Sequence, residues 1–139
     1  PIDPALELQL PSSLHRLDFT HASLEDYSFL TNLTQIEYLD LSFSSIRELQ
    51  VLAGMKRLKE LYIESTDVDD LSSLENNHRL AMLNIEGTEV RDLTPLASLN
   101  QLMKVFCDNS RVSKEHADRF RRDNPGTLVI FDSEELRSW

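Results

Sequence analysis

Apolar residues recur every 22 positions through most of this chain. A ruler laid at Leu14 lands on Ile36, Leu58, Leu80 and Leu102. Three residues on it meets Leu17, Leu39, Leu61, Leu83 and Val105, and two further Phe19, Leu41, Ile63, Ile85 and Cys107. Further columns run through Leu24, Ile46, Val68, Val90 and Val112, through Tyr27, Leu49, Leu71 and Leu93, and through Leu30, Leu52, Leu74 and Leu96. No insertion interrupts the period from Leu14 to Val112. Self-similarity at a fixed period of this length is the mark of a stacked repeat. Each unit opens L-x-x-L-x-L, whose last three residues alternate as in a short strand. It then turns, runs back through a short helical segment, and returns. One unit cannot bury its own leucines. Stacking the units joins them into one core and lines the strands into a parallel sheet.

The helical signals sit where this geometry needs them. Thr94-Pro95 reads as an N-cap followed by proline at the first helical position, and Ser28 and Ser72 fall at or near the same place in their units. The pattern L-x-x-L-x-L-x-x-(S/T)-x-(I/V)-x-x-L-x-x-L resembles the leucine-rich repeat. The 22-residue period, with segments such as Val90-Arg91-Asp92-Leu93-Thr94-Pro95-Leu96, resembles the class found in internalins and in a phosphatase regulatory subunit. The resemblance covers residues 14–112. It implies an α/β fold: a right-handed solenoid with a parallel sheet on the concave side and short helical segments on the convex side. It also implies a recognition scaffold. One departure stands out. The position usually held by asparagine is Ala22, Ser44, Thr66, Thr88 and Ser110. Hydroxyls replace part of an asparagine ladder and alanine none of it, so a somewhat looser turn column is expected.

The chain reads as a single domain, 1–139, with repeats starting at 14, 36, 58, 80 and 102 between two caps. Residues 1–13 form an N-terminal cap or half repeat. Leu6, Leu8 and Leu10 alternate with Glu7 and Gln9 like a strand, while Ile2 and Leu8 fall in register with Ile46 and Leu52. The chain therefore begins within a repeat of a longer solenoid, or Pro1 follows a removed methionine; both readings stay open. Residues 113–139 form the C-terminal cap. Ser113 caps a helix from Lys114 to Asp123, Asn124-Pro125-Gly126 stops it, and Thr127 to Phe131 reads as a last strand covering the sheet edge. Ser133-Glu134-Glu135 can start a short terminal helix.

Charge narrows the partner. Fourteen Lys and Arg stand against 24 Asp and Glu, a net charge of −10. Nucleic acid needs a basic footprint, so it is excluded as the main partner. Arg119, Arg121 and Arg122 make a patch too small to change that. No run approaches the roughly 20 apolar residues of a membrane span, no polybasic anchor is present, and no signal peptide opens the sequence. A cytoplasmic monomer is the expectation. Cys107 is the one cysteine, on a core position, so no disulfide framework or multi-cysteine metal site is possible. No phosphate-binding glycine loop, metalloprotease helix or nucleophile elbow occurs. His15, His21, His78 and His116 lack partners at metal-ligand spacing and read as solvated. No cofactor, metal or catalytic residue is expected, and the chain is not read as an enzyme.

The informative positions alternate with the core leucines and face the concave side. They carry Tyr38, Phe43, Tyr62, Met82 and Phe106 on a face that meets water, together with Asp40, Glu60, Glu64, Glu86 and Asp108. With strands about 4.8 Å apart, Glu64, Glu86 and Asp108 form a column of like charge, which destabilises a sheet and which a basic partner relieves. Calcium suits the column poorly, because three carboxylates in a line do not wrap an ion. Aromatics supply the anchors that dominate interfaces. These ten residues are the candidate site of a non-catalytic interaction module for a basic protein. The alternatives are a structural or adaptor segment of a larger protein, or a small acidic regulatory or inhibitory subunit of an enzyme. Asp26, Asp67, Asp69, Asp70 and Asp92 flank the turns as mostly solvated charges. Asn77 stands where other units hold Leu33, Met55 or Leu99, and is expected to bond the backbone of its own unit.

Overall fold

A computed structural model describes residues 10–131. The expectations for Ile2, Leu6, Leu8 and Ser133 to Glu135 lie outside them. Among the described residues, six parallel strands follow one another in sequence order: β1 (Arg16–Asp18), β2 (Tyr38–Asp40), β3 (Glu60–Tyr62), β4 (Met82–Asn84), β5 (Lys104–Phe106) and β6 (Leu128–Ile130). Tyr38 lies opposite Glu60, Glu60 opposite Met82 and Met82 opposite Lys104, so each strand is displaced by one 22-residue unit. The alternation of apolar and polar letters now has its cause. Leu39, Leu61, Leu83 and Val105 are wholly buried, while the residues on either side of each are half exposed. The second strand column follows, with Leu41, Ile63, Ile85 and Cys107 equally buried. Burial pushes the Cys107 thiol up to about 12, which leaves it un-ionised at neutral pH and inert.

The return segments are tight 3-10 turns: Ser28–Asn32, Gln50–Leu52, Ser72–Leu74 and Thr94–Leu96. Their start differs from the expected N-cap at Thr94. Thr94 is itself the first turn residue, Leu93 precedes it, and no side chain of that preceding residue caps the turn. The same holds at Ser28 and Ser72. Aspartate does the capping instead. Asp26, Asp70 and Asp92 accept the amides of Ser28, Ser72 and Thr94 at 2.8, 2.8 and 2.9 Å. These bonds hold the three carboxyls below their ordinary range. At Asp70 the Ser72 amide is the largest cause, and the nearby Asp92 carboxylate opposes it only weakly. A turn this short has i→i+3 bonds only, and an aspartate two residues upstream takes up the amide it leaves open.

The hydroxyl column also works within each unit. Thr66, Thr88 and Ser110 donate to the carbonyls three residues back, at 2.8, 2.6 and 2.7 Å. Neighbouring turns are tied by backbone bonds instead, such as Ser45 N to Ala22 O and Glu89 N to Val68 O, both 3.0 Å. At Ala22 the Tyr27 hydroxyl fills the gap: it lies 3.2 Å from Ala22 O, to which it donates, and 3.0 Å from Ser45 Oγ. Asn77 reaches further than its own unit. Its Nδ2 donates to Leu52 O and Met55 O of the preceding one, at 3.1 and 3.0 Å, and the side chain is wholly buried. The amide spans units because it sits in the core between two turns, where its own backbone is already paired through Asn77 N and O.

The cap follows the sequence closely. Ser113 Oγ accepts the His116 amide at 3.1 Å and opens α1 (Lys114–Asp123). A helix needs more chain than a 3-10 turn, so β5 to β6 steps from Lys104 to Leu128, two residues beyond the usual period. His116 is not a solvated histidine. Its Nε2 accepts the Leu93 amide at 2.9 Å and fastens α1 to the fourth unit. Arg121 closes the edge strand: Nη2 and Nε donate to Val129 O at 2.8 and 3.2 Å, while Nη1 donates to Asp118 at 2.8 Å.

Candidate functional site

The strands place nine of the ten candidate residues half-buried on one face, and Phe43 exposed at its rim. Tyr38, Glu60 and Met82 share the first exposed column. Tyr62 stands in the second, its ring 5.4 Å from that of Tyr38 and tilted by 45°. The Tyr62 hydroxyl donates to Glu60 Oε1 at 2.8 Å and lies 3.0 Å from Met82 Sδ. Burial, then the bond to the Glu60 carboxylate, pushes this phenol up to about 12. Tyr38, Glu60, Tyr62 and Met82 therefore form one patch held by side-chain contacts. Arg16 joins it, with its guanidinium 4.1 Å from the centre of the Tyr38 ring. Arg16 is not among the ten candidates; alternation with Leu17, one unit before Tyr38, was the signal that puts it on this face.

Asp40 has a structural task as well. Its Oδ1 accepts the Ser42 amide at 2.9 Å, as Asp18 does for Thr20 and Asn84 for Glu86. Tyr62 occupies the equivalent place in the third unit and cannot accept in this way. There the Glu64 amide donates to Ser42 Oγ across the unit boundary, at 3.2 Å. That substitution of partner is what frees the position for an aromatic ring.

Glu64, Glu86 and Asp108 occupy one position in three successive units. Partial burial, then the carboxylates of Glu64 and Asp108, push the Glu86 carboxyl above its ordinary value. An acid whose pKa rises on folding binds its proton more tightly in the folded chain. The penalty is complete above the folded pKa and vanishes as pH falls below the unfolded value. Glu86→Gln is thus expected to raise the melting temperature at neutral pH by about 2 °C and to flatten its dependence on weakly acidic pH. Thermal melts across that range read both effects; an unaltered pH slope would contradict the column's repulsion.

Phe106 lies opposite Asn84 and carries the aromatic character to the fifth strand. Phe43 stacks on His21 with ring centres 5.0 Å apart and planes 8° from parallel. Elsewhere, a groove of about 540 Å³ is lined by residues of the turn side, including Glu25, Arg47, Asp67 and Asp69. Among the described residues no group of three or more His, Cys, Asp or Glu is arranged to hold a metal ion, and no helix is long and apolar enough to cross a membrane.

No protein-family model matches the sequence, and no curated protein matches it. Solved structures do. Internalin C2 from Listeria monocytogenes superposes with a TM-score of 0.79 at 27% identity, over 86% of this chain and 52% of its own. This chain has the leucine-rich repeat fold. Its build is internalin-like, and the leucine-rich repeat chain spans about half the length of internalin C2. A leucine-rich repeat protein of Leptospira interrogans shares the fold with a TM-score of 0.72 at 18% identity, over 94% of this chain and 40% of its own. A chain of the Drosophila melanogaster SNF/U2A′ complex does so with 0.65 at 20%, over 84% and 71%.

Proposed function

We propose that this leucine-rich repeat chain is a non-catalytic interaction module that binds a basic protein across its concave sheet. The observation that carries the reading is the half-buried column of Glu64, Glu86 and Asp108 on the same face as the contact patch of Tyr38, Glu60, Tyr62 and Met82. The fold keeps a carboxylate where partial burial, and then the neighbouring carboxylates, disfavour its charge, on a face that also presents Tyr38, Tyr62, Met82 and Phe106. Cations from a partner turn that repulsion into attraction, and the aromatic patch supplies area for anchoring. The net charge of −10 adds long-range attraction toward a basic surface. Asp40 and Glu60 steer the approach, and Phe43 extends the contact at the rim.

The same reading has the chain acting as a cytoplasmic monomer. Its cysteine is buried and needs no disulfide partner, and Arg121 occupies the outward carbonyl of the last strand. The test is capture of partners on the immobilised chain, followed by the association rate of the captured protein at rising salt. The rate should fall by at least about tenfold between low and physiological ionic strength. A salt-independent rate would exclude a charge-led mechanism.

A further inference from the structure

Each unit leaves its strand through one residue in the left-handed backbone region. Among the described residues these are His21 (φ 63°), Phe43 (60°), Ser65 (53°), Gly87 (68°) and Asn109 (59°). Glycine and asparagine suit this conformation, and bulky side chains rarely adopt it. Gly87 has a further reason to be glycine, since a Cβ there would meet Ser65 Oγ at 3.0 Å. Phe43 has no such reason to be phenylalanine. It is 48% exposed, so core packing does not account for the ring. An unfavourable residue that does not serve the core points to a task at the surface.

The ring's surroundings say what that task is. One face of Phe43 lies flat against His21, and the side chain remains half in water. The Phe43 amide donates to Glu64 O at 2.8 Å, which holds the backbone of residue 43 against the residue that opens the Glu64, Glu86 and Asp108 column. Elsewhere on the same face the molecule displays the pairing such a ring makes, with the guanidinium of Arg16 over Tyr38 at 4.1 Å. A planar guanidinium stacks on an aromatic face, whereas an ammonium is a compact, strongly hydrated point charge. The surplus of carboxylates selects a cation over a neutral ring.

We infer that the Phe43–His21 stack is the seat for an arginine side chain of the protein partner. This rests on the concave-face reading and specifies it: the partner presents arginine, in preference to lysine, at the rim beside Glu64. Asparagine at position 43 tolerates the left-handed backbone and removes the ring. Phe43→Asn therefore separates the two roles, keeping or raising the melting temperature while losing the seat. Phe43→Tyr retains the ring.

The experiment is calorimetric titration of hexa-arginine and hexa-lysine peptides into the unaltered chain, Phe43→Asn, Phe43→Tyr and the double variant Tyr62→Ala with Glu64→Lys. Hexa-arginine should bind about fivefold more tightly than hexa-lysine. Phe43→Asn should erase that preference without lowering the melting temperature, and Phe43→Tyr should preserve it. Equal affinities in the unaltered chain, or a preference that survives Phe43→Asn, would overturn the arginine seat. Equal affinities that both fall in the double variant would overturn the seat alone and leave the concave face standing. Affinities untouched by the double variant would count against both.

Discussion

Leu83→Ala is expected to lower the stability of the folded chain by about 3 kcal/mol. Leu83 is wholly buried in β4 and stands in register between Leu61 and Val105. Truncating it leaves a cavity that the neighbouring strands can fill only by moving together, and their backbone bonds resist that. The position matters as much as the side chain. In a stack, each unit is held by the units on either side, so a defect at the fourth strand loosens the fifth unit and the cap from the first three. Leu14→Ala, at a half-buried position of the first unit, should cost much less. Urea denaturation followed by circular dichroism reads both. The Leu83 variant should show an earlier midpoint and a broader transition, because the two halves then unfold less cooperatively. Equal costs at Leu14 and Leu83 would mean that the coupling between units is weaker than the continuous core implies.

The second large effect concerns binding. Tyr62→Ala with Glu64→Lys should reduce capture of the partner by at least about a hundredfold. The first change removes a ring that contacts Tyr38 and whose hydroxyl reaches Glu60. The second reverses one charge in the column beside Glu86. Both residues are half-buried and lie outside the core, so the melting curve should stay nearly unchanged; the lysine also relieves the repulsion on Glu86. Glu48→Lys, an exposed site on the turn side, changes the net charge equally and serves as the control. Loss of capture in the double variant alone locates the contact. Equal loss in both would reduce the effect to overall charge, and unchanged capture in the double variant would reject the concave face.

Where the sequence was informative, its letters answered to the geometry of one unit. The spacing of Leu17, Leu39, Leu61, Leu83 and Val105 specified the register directly, because a fixed period leaves each strand one register with the strand before it and one with the strand after it. Ser113 marked the start of the cap helix because an N-cap acts on amides three residues away. Contacts between units were harder to read. Nothing local says that Asn77 will donate to Leu52 and Met55, or that His116 will accept from Leu93. Those pairings depend on how far apart successive turns lie and how their faces meet. The capping by Asp26, Asp70 and Asp92 was hidden for another reason: a 3-10 turn starts at the serine or threonine that an α-helix would place one step earlier. At the candidate face, the list of outward residues was legible from alternation alone. The grouping of Tyr38, Glu60, Tyr62 and Met82 was not, since it follows from rotamers that bring a hydroxyl to a carboxylate and a thioether.

The Arg121 clamp on Val129 bears on the behaviour of this molecule at high concentration. An uncovered margin of a parallel sheet is a template on which other polypeptides can accrete, and the row of backbone acceptors is what they grip. Here the guanidinium already satisfies that acceptor. One such acceptor is therefore withheld from an incoming strand, and a lone cationic side chain does the withholding.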